Sequence, residues 1–195
     1  MMNNSSLFAM LTVILVSSLS LMVVFINQQP TGAASLKQLS VNGINFLTYE
    51  NFTLGIKIEY PSDWIKVEDY SGSWFRNNNQ TVNVRVESIP YLNESLDNLT
   101  TQQINLTAQQ FPGRQLIDTN GTTIGDNYTA HKIVFTFPEE PADLNGLWYK
   151  EIQVWTINAG RAYIISYYTP VYDYDKYLPF AQKMVDSFRI LKAIK

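Results

Sequence analysis

The stretch LWYKEIQVWTINAGRAYIISYY, residues 147–168, decides the fold class of this chain. Residues 147–157 and 161–168 are rich in β-branched and aromatic side chains, which favour strands. The tripeptide Asn158-Ala159-Gly160 lies between them and is typical of a tight hairpin turn. The stretch therefore predicts two long strands that pair in an antiparallel manner.

Further strands are predicted on the N-terminal side of this hairpin. They cover residues 54–60, 64–67, 73–75, 82–87 and 128–137. In residues 82–87 three valines alternate with Asn83, Arg85 and Glu87, which is the two-residue period of a strand with one buried face. The dipeptide Asn120-Gly121 predicts another hairpin turn, between residues 114–118 and 122–124.

Two segments have helical spacing. Residues 95–111 predict a helix that Ser95 caps and that Pro112-Gly113 ends. Residues 175–191 predict a second helix, whose apolar stripe contains Tyr177, Phe180, Ala181, Met184 and Phe188. The order of strands, helix, hairpin-linked strands and helix predicts an α+β domain with a mainly antiparallel sheet and helices packed on it.

The first part of the sequence has a different composition. Residues 7–26, LFAMLTVILVSSLSLMVVFI, contain no charge and no proline and are long enough to cross a bilayer as a helix. We expect a signal anchor over residues 1–26, a polar linker over 27–43 and the α+β domain over 44–195. Cleavage near Gly32, Ala33 and Ala34 is the alternative, and a buried core helix is a third interpretation.

The glycosylation sequons of the domain favour export; the alternative is that an Asn- and Thr-rich polar surface produces such motifs by itself. Seven Asn-x-Ser/Thr sequons follow the apolar segment, at Asn51, Asn79, Asn93, Asn98, Asn105, Asn120 and Asn127. Such sequons are typical of a glycosylated surface outside the cytoplasm. We therefore predict a single-pass protein of the cell membrane whose domain faces outside. The net charge of -3 provides no basic field for nucleic acid, and the absence of cysteine excludes disulfides and thiolate metal sites.

Candidate chemical groups are few. The only histidine, His131, would need a nucleophile and an orienting carboxylate to act as a general base, and a structural role is favoured. Asp173 and Asp175 precede the last helix, where capping is favoured over calcium binding. Glu139, Glu140 and Asp143 predict a solvated acidic loop.

The aromatic residues suggest either core packing or a contact surface. Trp148 and Trp155 are separated by seven residues, so one strand would place them on opposite faces. Core and rim packing is favoured for the tyrosines over a contact surface. These are Tyr163, Tyr167, Tyr168, Tyr172, Tyr174 and Tyr177. Trp64 is expected to close one end of the sheet.

The motif GIKIEYPSDW at residues 55–64, together with residues 160–168 and 185–190, resembles the PsbP-like family. Residues 46–52 match the short aromatic strand that precedes this motif in the family. The resemblance implies a central antiparallel sheet sandwiched between helices, and a non-enzymatic accessory role. The sequence also resembles the exported archaeal members of this family. Plant and cyanobacterial members assist photosystem II, but the membrane span and the sequons differ from a thylakoid-lumen protein.

These observations predict a non-enzymatic accessory or binding module on the outer side of the membrane. Its partners would be the membrane, through the N-terminal helix, and an envelope protein complex. No catalytic residue, cofactor or metal ligand is predicted, because residues 1–195 contain no Walker-type loop, GxGxxG, GxSxG or HExxH motif. The alternative is a protein that binds a small ligand or calcium in a cleft between sheet and helix.

Overall fold

The computed structural model describes residues 41, 43–92, 95–140 and 145–191. The strands are β1 (Phe46–Asn51), β2 (Ile56–Pro61), β3 (Ile65–Glu68), β4 (Gly72–Arg76), β5 (Asn83–Pro90), β6 (Gln115–Ile124), β7 (Tyr128–Pro138), β8 (Trp148–Asn158), β9 (Arg161–Pro170) and β10 (Arg189–Ile190). The helices are α1 (Leu96–Gln110) and α2 (Tyr174–Ser187), and a short 3-10 helix, Val171–Asp173, leads into α2.

The predicted membrane span, residues 7–26, lies outside the described residues. Among the helices that are described, neither is long and apolar enough to cross a bilayer.

Seven strands form a large antiparallel sheet in the order β3-β4-β5-β9-β8-β7-β6. The hairpin of β8 and β9 lies at its centre, as the opening stretch of sequence predicts. Ala159 and Gly160 form the turn with φ values of 48° and 74°. Two consecutive residues with positive φ match the right-handed twist of the strands that they connect.

The predicted turn at Asn120-Gly121 is wrong. Both residues lie inside the continuous strand β6, where Asn120 pairs with Lys132 and Gly121 with His131. The backbone instead turns at residues 125–127, where Gly125 and Asn127 have φ values of 59° and 66°. Gly125 adopts this conformation without a steric cost. The hairpin therefore turns at residues 125–127, with longer strands on either side, and not at the Asn-Gly dipeptide.

Each face of the large sheet carries one helix. We call the face that carries α1 the helix-1 face. There α1 packs over β7 and β8, and Leu99, Phe135 and Trp155 belong to a buried cluster. The helix-2 face packs against α2, where Phe180 and Met184 join the main core. The structure thus confirms a mainly antiparallel sheet with helices on it.

A second, smaller sheet was not predicted. It has the order β1-β2-β10, because the predicted last helix ends at Ser187 and the backbone becomes extended at Phe188. Arg189 then pairs with Lys57, and Ile190 pairs with Ile56. Helix α2 packs on β2, so the small sheet and α2 together complete the core of the helix-2 face.

Candidate functional site

The helix-1 face changes character midway along its three central strands. Near one end the side chains are apolar and belong to the cluster under α1, as Trp155 and Ile164 do. Further along the same strands the positions on this face become polar. We call this group the polar cluster: Asn83, Arg85, Glu87, Glu151, Gln153 and Ser166. Five of the six are buried, and Glu87 is half-buried.

Arg85 holds one side of the polar cluster together. Its Nη1 lies 3.1 Å from Asp69 Oδ2, and its Nη2 lies 2.8 Å from Glu87 Oε1. Nη2 also donates to Ser71 Oγ over 3.0 Å. Burial raises the pKa of Asp69, but backbone hydrogen bonds from Ser71 and Gly72 and the charge of Arg85 lower it below its ordinary value. Arg85 is therefore a satisfied, structural ion-pair partner.

Glu151 and Gln153 form the other side of the polar cluster. Gln153 Nε2 donates to Glu151 Oε1 over 2.6 Å, while the second amide atom of Gln153, Oε1, is buried and has no hydrogen-bond partner. Burial raises the pKa of Glu151 to about 8, and Glu87 shifts it in the same direction; hydrogen bonds from Gln153 and Ser166 oppose the shift. At neutral pH this carboxyl group is thus mostly protonated.

Arg76 lies in the same part of the face but differs from Arg85. It begins a row of cross-strand neighbours on β4, β5, β9 and β8, in the order Arg76, Asn83, Tyr168 and Glu151. The Arg76 guanidinium carbon lies 5.1 Å from the centre of the Trp74 ring. Its Nε is buried without a hydrogen-bond partner, and it forms no ion pair with any described carboxylate. It is therefore a half-buried cation whose Nε lacks an acceptor among the described residues.

Four aromatic rings cross the helix-1 face beside these groups. Trp74 and Tyr149 each lie with the ring centre 6.4 Å from that of Tyr168, and Phe137 stacks on Tyr149 at 5.6 Å. Burial and the charge of Glu151 raise the pKa of Tyr168, so its hydroxyl remains a donor. The aromatic row and the polar cluster thus lie side by side on the helix-1 face.

His131 lies elsewhere on the helix-1 face, at a half-buried position in β7. Its Nε2 is 2.8 Å from Thr119 Oγ1, and its ring stacks on Trp155 with centres 5.4 Å apart. Burial lowers the pKa of His131, and the charge of Asp97 opposes that shift. Among the described residues no carboxylate is hydrogen-bonded to this ring, so a hydroxyl is in reach but the orienting acid is not.

The acidic candidates do not converge. Asp173 occupies the N-cap position of α2 without a side-chain capping hydrogen bond, and Asp175 lies in the first helical turn. The capping bond expected of this pair is therefore absent at Asp173. Glu139 and Glu140 are exposed, and Asp143 lies outside the described residues. In the described ranges no three acidic, histidine or cysteine side chains come together to hold a metal ion.

The predicted aromatic candidates are divided between core and surface. Trp155 is fully buried under α1 and donates to Thr100 Oγ1 over 3.0 Å, whereas Trp148 is half-buried on the opposite face. Trp64 is buried between the rings of Tyr177 and Phe180. Of the tyrosines, Tyr163, Tyr167 and Tyr174 are buried, Tyr168 and Tyr177 are half-buried and Tyr172 is exposed.

Sequence reasoning missed the polar cluster. The alternation in residues 82–87 indicates one buried face, yet Asn83 and Arg85, on the side that would be solvated, are also buried. A usable signal exists in β8, where Glu151 and Gln153 interrupt the apolar side of a strand that otherwise carries Tyr149 and Trp155 there. Polar residues on the covered side of a central strand indicate either a network or a site.

A separate cleft of about 490 Å³ lies between α2 and the large sheet. Its floor is apolar and includes Ile152, Val154 and Ile165, while Lys132 and Asp186 lie at its rim. The cleft is on the helix-2 face, so the fully buried Trp155 has no part in it. Its size is within the range of small-molecule sites.

Several solved structures share this fold at low sequence identity. Cyanobacterial PsbP from Synechocystis aligns with a TM-score of 0.59 and 14% identity, covering 83% of this chain and 98% of its own. The Ran-binding protein Mog1p of Saccharomyces cerevisiae aligns at 0.52 and 10% identity, covering 77% and 97%. LpqN of Mycobacterium tuberculosis, involved in cell envelope biogenesis, aligns at 0.51 and 14%, covering 70% and 83%.

A comparison with curated proteins finds no match. The sequence profile of the PsbP-like proteins matches residues 8–190, which is nearly the whole sequence. The stretches that resemble this family, residues 55–64, 160–168 and 185–190, fall on β2 with the turn after it, on β9, and on the end of α2 with β10. This chain belongs to the PsbP-like protein family.

Proposed function

We propose that this protein is a non-enzymatic binding module that is tethered outside the cell by residues 7–26 and stabilises an envelope protein complex. The observation that carries the binding role is the polar half of the helix-1 face. There α1 packs mainly over β7 and β8, while β4, β5 and β9 extend the face beyond it. A purely structural polar network would satisfy its members, whereas Arg76 Nε and Gln153 Oε1 in this part of the face have no hydrogen-bond partner.

The arrangement of groups supports binding over catalysis. A general base needs a nucleophile and an orienting acid within hydrogen-bond reach, and His131 has only the hydroxyl of Thr119. The family and the fold are compatible with a binding role: the similar Mog1p binds Ran, and the similar LpqN is involved in cell envelope biogenesis. Because fold alone does not transfer function, these neighbours suggest only the class of role.

The test is capture of a partner by the full-length protein. Cells that express a tagged form are crosslinked, extracted in mild detergent and purified, and we expect one reproducible membrane or envelope protein in the eluate. Protease treatment of intact cells should digest the domain if it faces outside. Recovery of the tagged protein alone under both crosslinked and native conditions would contradict the proposal.

The cleft on the helix-2 face supports a second candidate, a small-ligand binding protein. Its apolar floor favours an apolar ligand with one polar group near Lys132. Val185 lines the cleft, so Val185→Trp should fill it. If the cleft binds apolar molecules, decanoate should raise the melting temperature of the parent protein but not that of this variant. A thermal-shift scan with calcium tests the ion version of this candidate.

A further inference from the structure

We propose that the helix-1 face binds a carboxylate of a protein partner, either an acidic side chain or the C-terminal carboxylate, through the guanidinium of Arg76. The inference deepens the proposed function and rests on it for the existence of a partner. It rests on three observations: an arginine without an acid, a buried amide oxygen without a donor, and an apolar rim.

The first observation is the contrast between two neighbouring arginines. Arg85 and Arg76 both lie over the ring of Trp74, at 4.4 Å and 5.1 Å. Arg85 has Asp69 and Glu87 as ion-pair partners, whereas Arg76 has none among the described carboxylates and leaves its Nε unsatisfied. Leaving a buried charged donor without an acceptor is unfavourable, so a ligand that supplies one would gain affinity.

The chemistry of this donor favours a carboxylate. A guanidinium stacked on an aromatic ring keeps its N–H groups free along its edge, and their fork fits the two oxygens of a carboxylate. Asp69 and Glu87 already place negative charge near the site. A monoanion is therefore better matched than a phosphate dianion, which these acids would repel more strongly.

The second observation is the unpartnered amide oxygen. Gln153 is only 8% exposed, and its Oε1 has no donor. It lies on the same face as Arg76 but three strands away, about 14 Å at the usual strand spacing, so a partner segment that extends across the face would supply the N–H, separately from the bound carboxylate. The nearby Glu151 is protonated near neutral pH because of its burial, so it adds little repulsion to an arriving anion.

The third observation is the edge of the face, which favours a protein over a free small acid. Ile65 and Val67 on β3 pair directly with Arg76 and Trp74, so their side chains share the helix-1 face. They are 45% and 47% exposed. A protein segment could cover this apolar rim while placing its carboxylate on the arginine, which is the usual arrangement of apolar and charged contacts in an interface.

The first test compares partner capture by two variants of the full-length protein. Arg76→Gln removes the proposed contact, and Arg189→Gln removes an arginine that pairs with Asp126 away from this face. We expect Arg76→Gln to reduce the captured partner about tenfold or more, and Arg189→Gln to leave it unchanged. Equal capture by both variants would overturn the inference and leave the proposed function standing. Circular dichroism of each variant establishes that it is folded.

The second test does not require the partner. Binding of N-acetylglycinate, which carries a carboxylate and an amide N–H, is measured by NMR titration of the full-length protein in detergent, against N-acetylglycinamide and inorganic phosphate. We expect N-acetylglycinate to bind at least several-fold more tightly than either control, and Arg76→Lys, which retains the charge without the fork, to weaken it several-fold. Equal binding of N-acetylglycinate and its amide would contradict the inference.

The pH dependence gives a second readout of the same assay. The charged and titratable groups that act on Glu151 directly are Glu87 of β5 and, across the neighbouring strand, Tyr168 of β9. Arg85 of β5, Arg76 of β4 and Tyr149 of the same strand act on Tyr168. We expect binding of N-acetylglycinate to weaken between pH 7 and pH 9, because Glu151 becomes charged, and Glu151→Gln to remove most of that decline. A decline of equal size in the variant would show that Glu151 is not near the bound anion.

Discussion

Gln153 donates a hydrogen bond to Glu151 on the same strand and the same face, with 2.6 Å between Nε2 and Oε1. The pair places a carboxyl group in the centre of a sheet face, where burial raises its pKa to about 8. Such a group binds its proton more strongly in the folded protein than in the unfolded state. Stability must therefore depend on pH through this one residue.

We predict that the free energy of unfolding decreases as the pH rises from about 5 to about 8. At a pH below the pKa of Glu151 in the unfolded chain, the folded and unfolded states are both protonated, and the free energy of unfolding does not change with pH. Above that pKa the unfolded chain releases the proton while the folded protein retains it, so the free energy of unfolding falls. The loss is at most about 1.4 kcal/mol per pH unit and ends above the folded pKa. Urea unfolding of Glu151→Gln, followed by tryptophan fluorescence, should show a weaker decline.

The control for this prediction is Glu140→Gln, because Glu140 is exposed in a loop. It removes one carboxylate of the same type without altering the polar cluster. If the two variants have the same pH dependence as the parent protein, Glu151 does not carry the effect.

The second prediction concerns two glycines that lie in strands. A Cβ added at Gly72 would lie 2.1 Å from the backbone oxygen of Val86 on the neighbouring strand, whereas one at Gly121 would meet nothing within 4 Å. Gly72→Ala should therefore destabilise the protein by several kcal/mol, of the order of a severe backbone clash, and Gly121→Ala should be neutral or slightly stabilising. Thermal unfolding of the two variants measures the difference.

Gly121→Ala also discriminates between the two positions of the hairpin turn. If Asn120-Gly121 formed the turn, Gly121 would need a positive φ and the alanine would cost about 1 kcal/mol or more. A marked loss of stability in Gly121→Ala would therefore argue for the turn that the sequence indicates and against a continuous β6.

The third prediction compares two tryptophans of β8. Trp155 is fully buried under α1 and is hydrogen-bonded to Thr100, so Trp155→Ala should destabilise the protein by about 3–5 kcal/mol. Trp148 is half-buried on the other face, and Trp148→Ala should cost clearly less. Chemical unfolding of both variants tests which substitution destabilises the protein more. A larger loss of stability in Trp148→Ala than in Trp155→Ala would contradict the burial of Trp155 under α1.

The fourth prediction concerns glycan sites, if the domain is exported to a compartment that glycosylates. Asn79, Asn105, Asn120 and Asn127 are exposed, whereas both side-chain polar atoms of Asn51 are engaged, with the Tyr49 hydroxyl at 3.0 Å and the Leu54 N–H at 2.9 Å. We expect peptide mass spectrometry to find glycans at exposed sequons and little at Asn51. Modification of Asn51 alone would contradict the argument from its hydrogen bonds, and the absence of all glycans would weaken the export prediction.

Much of the fold could be predicted because local patterns and tertiary packing agree there. The Asn158-Ala159-Gly160 turn, the Ser95 cap, which accepts from the Asn98 N–H at 3.1 Å, and the apolar stripe of α2 all follow from short-range chemistry. The turn at residues 125–127 and the strand β10 could not be predicted in this way. The turn at 125–127 competes with the Asn120-Gly121 signal a few residues earlier, and only the full pairing of β6 with β7 decides between them. The strand β10 depends on β2, which is distant in the sequence.

The candidate site was harder to predict for the same reason. Arg76, Arg85 and Glu151 belong to three different strands, and only the order of strands in the sheet brings them near one another. Alternation within a strand indicates which side chains share a face. It does not indicate where along that face a helix ends and polar groups begin. That boundary is set by the position of α1, which no local pattern encodes.

The pairing of β10 with β2 has a consequence for how an exported molecule would mature. These partners are separated by more than a hundred residues, and contacts of such long range are costly to close and slow to form. A polypeptide that emerges residue by residue must wait for Arg189 and Ile190 before β2 gains its second neighbour. Until then the backbone groups on one side of β2 remain available to other polypeptides, so completion of this small sheet protects a newly made molecule from aggregation through this edge.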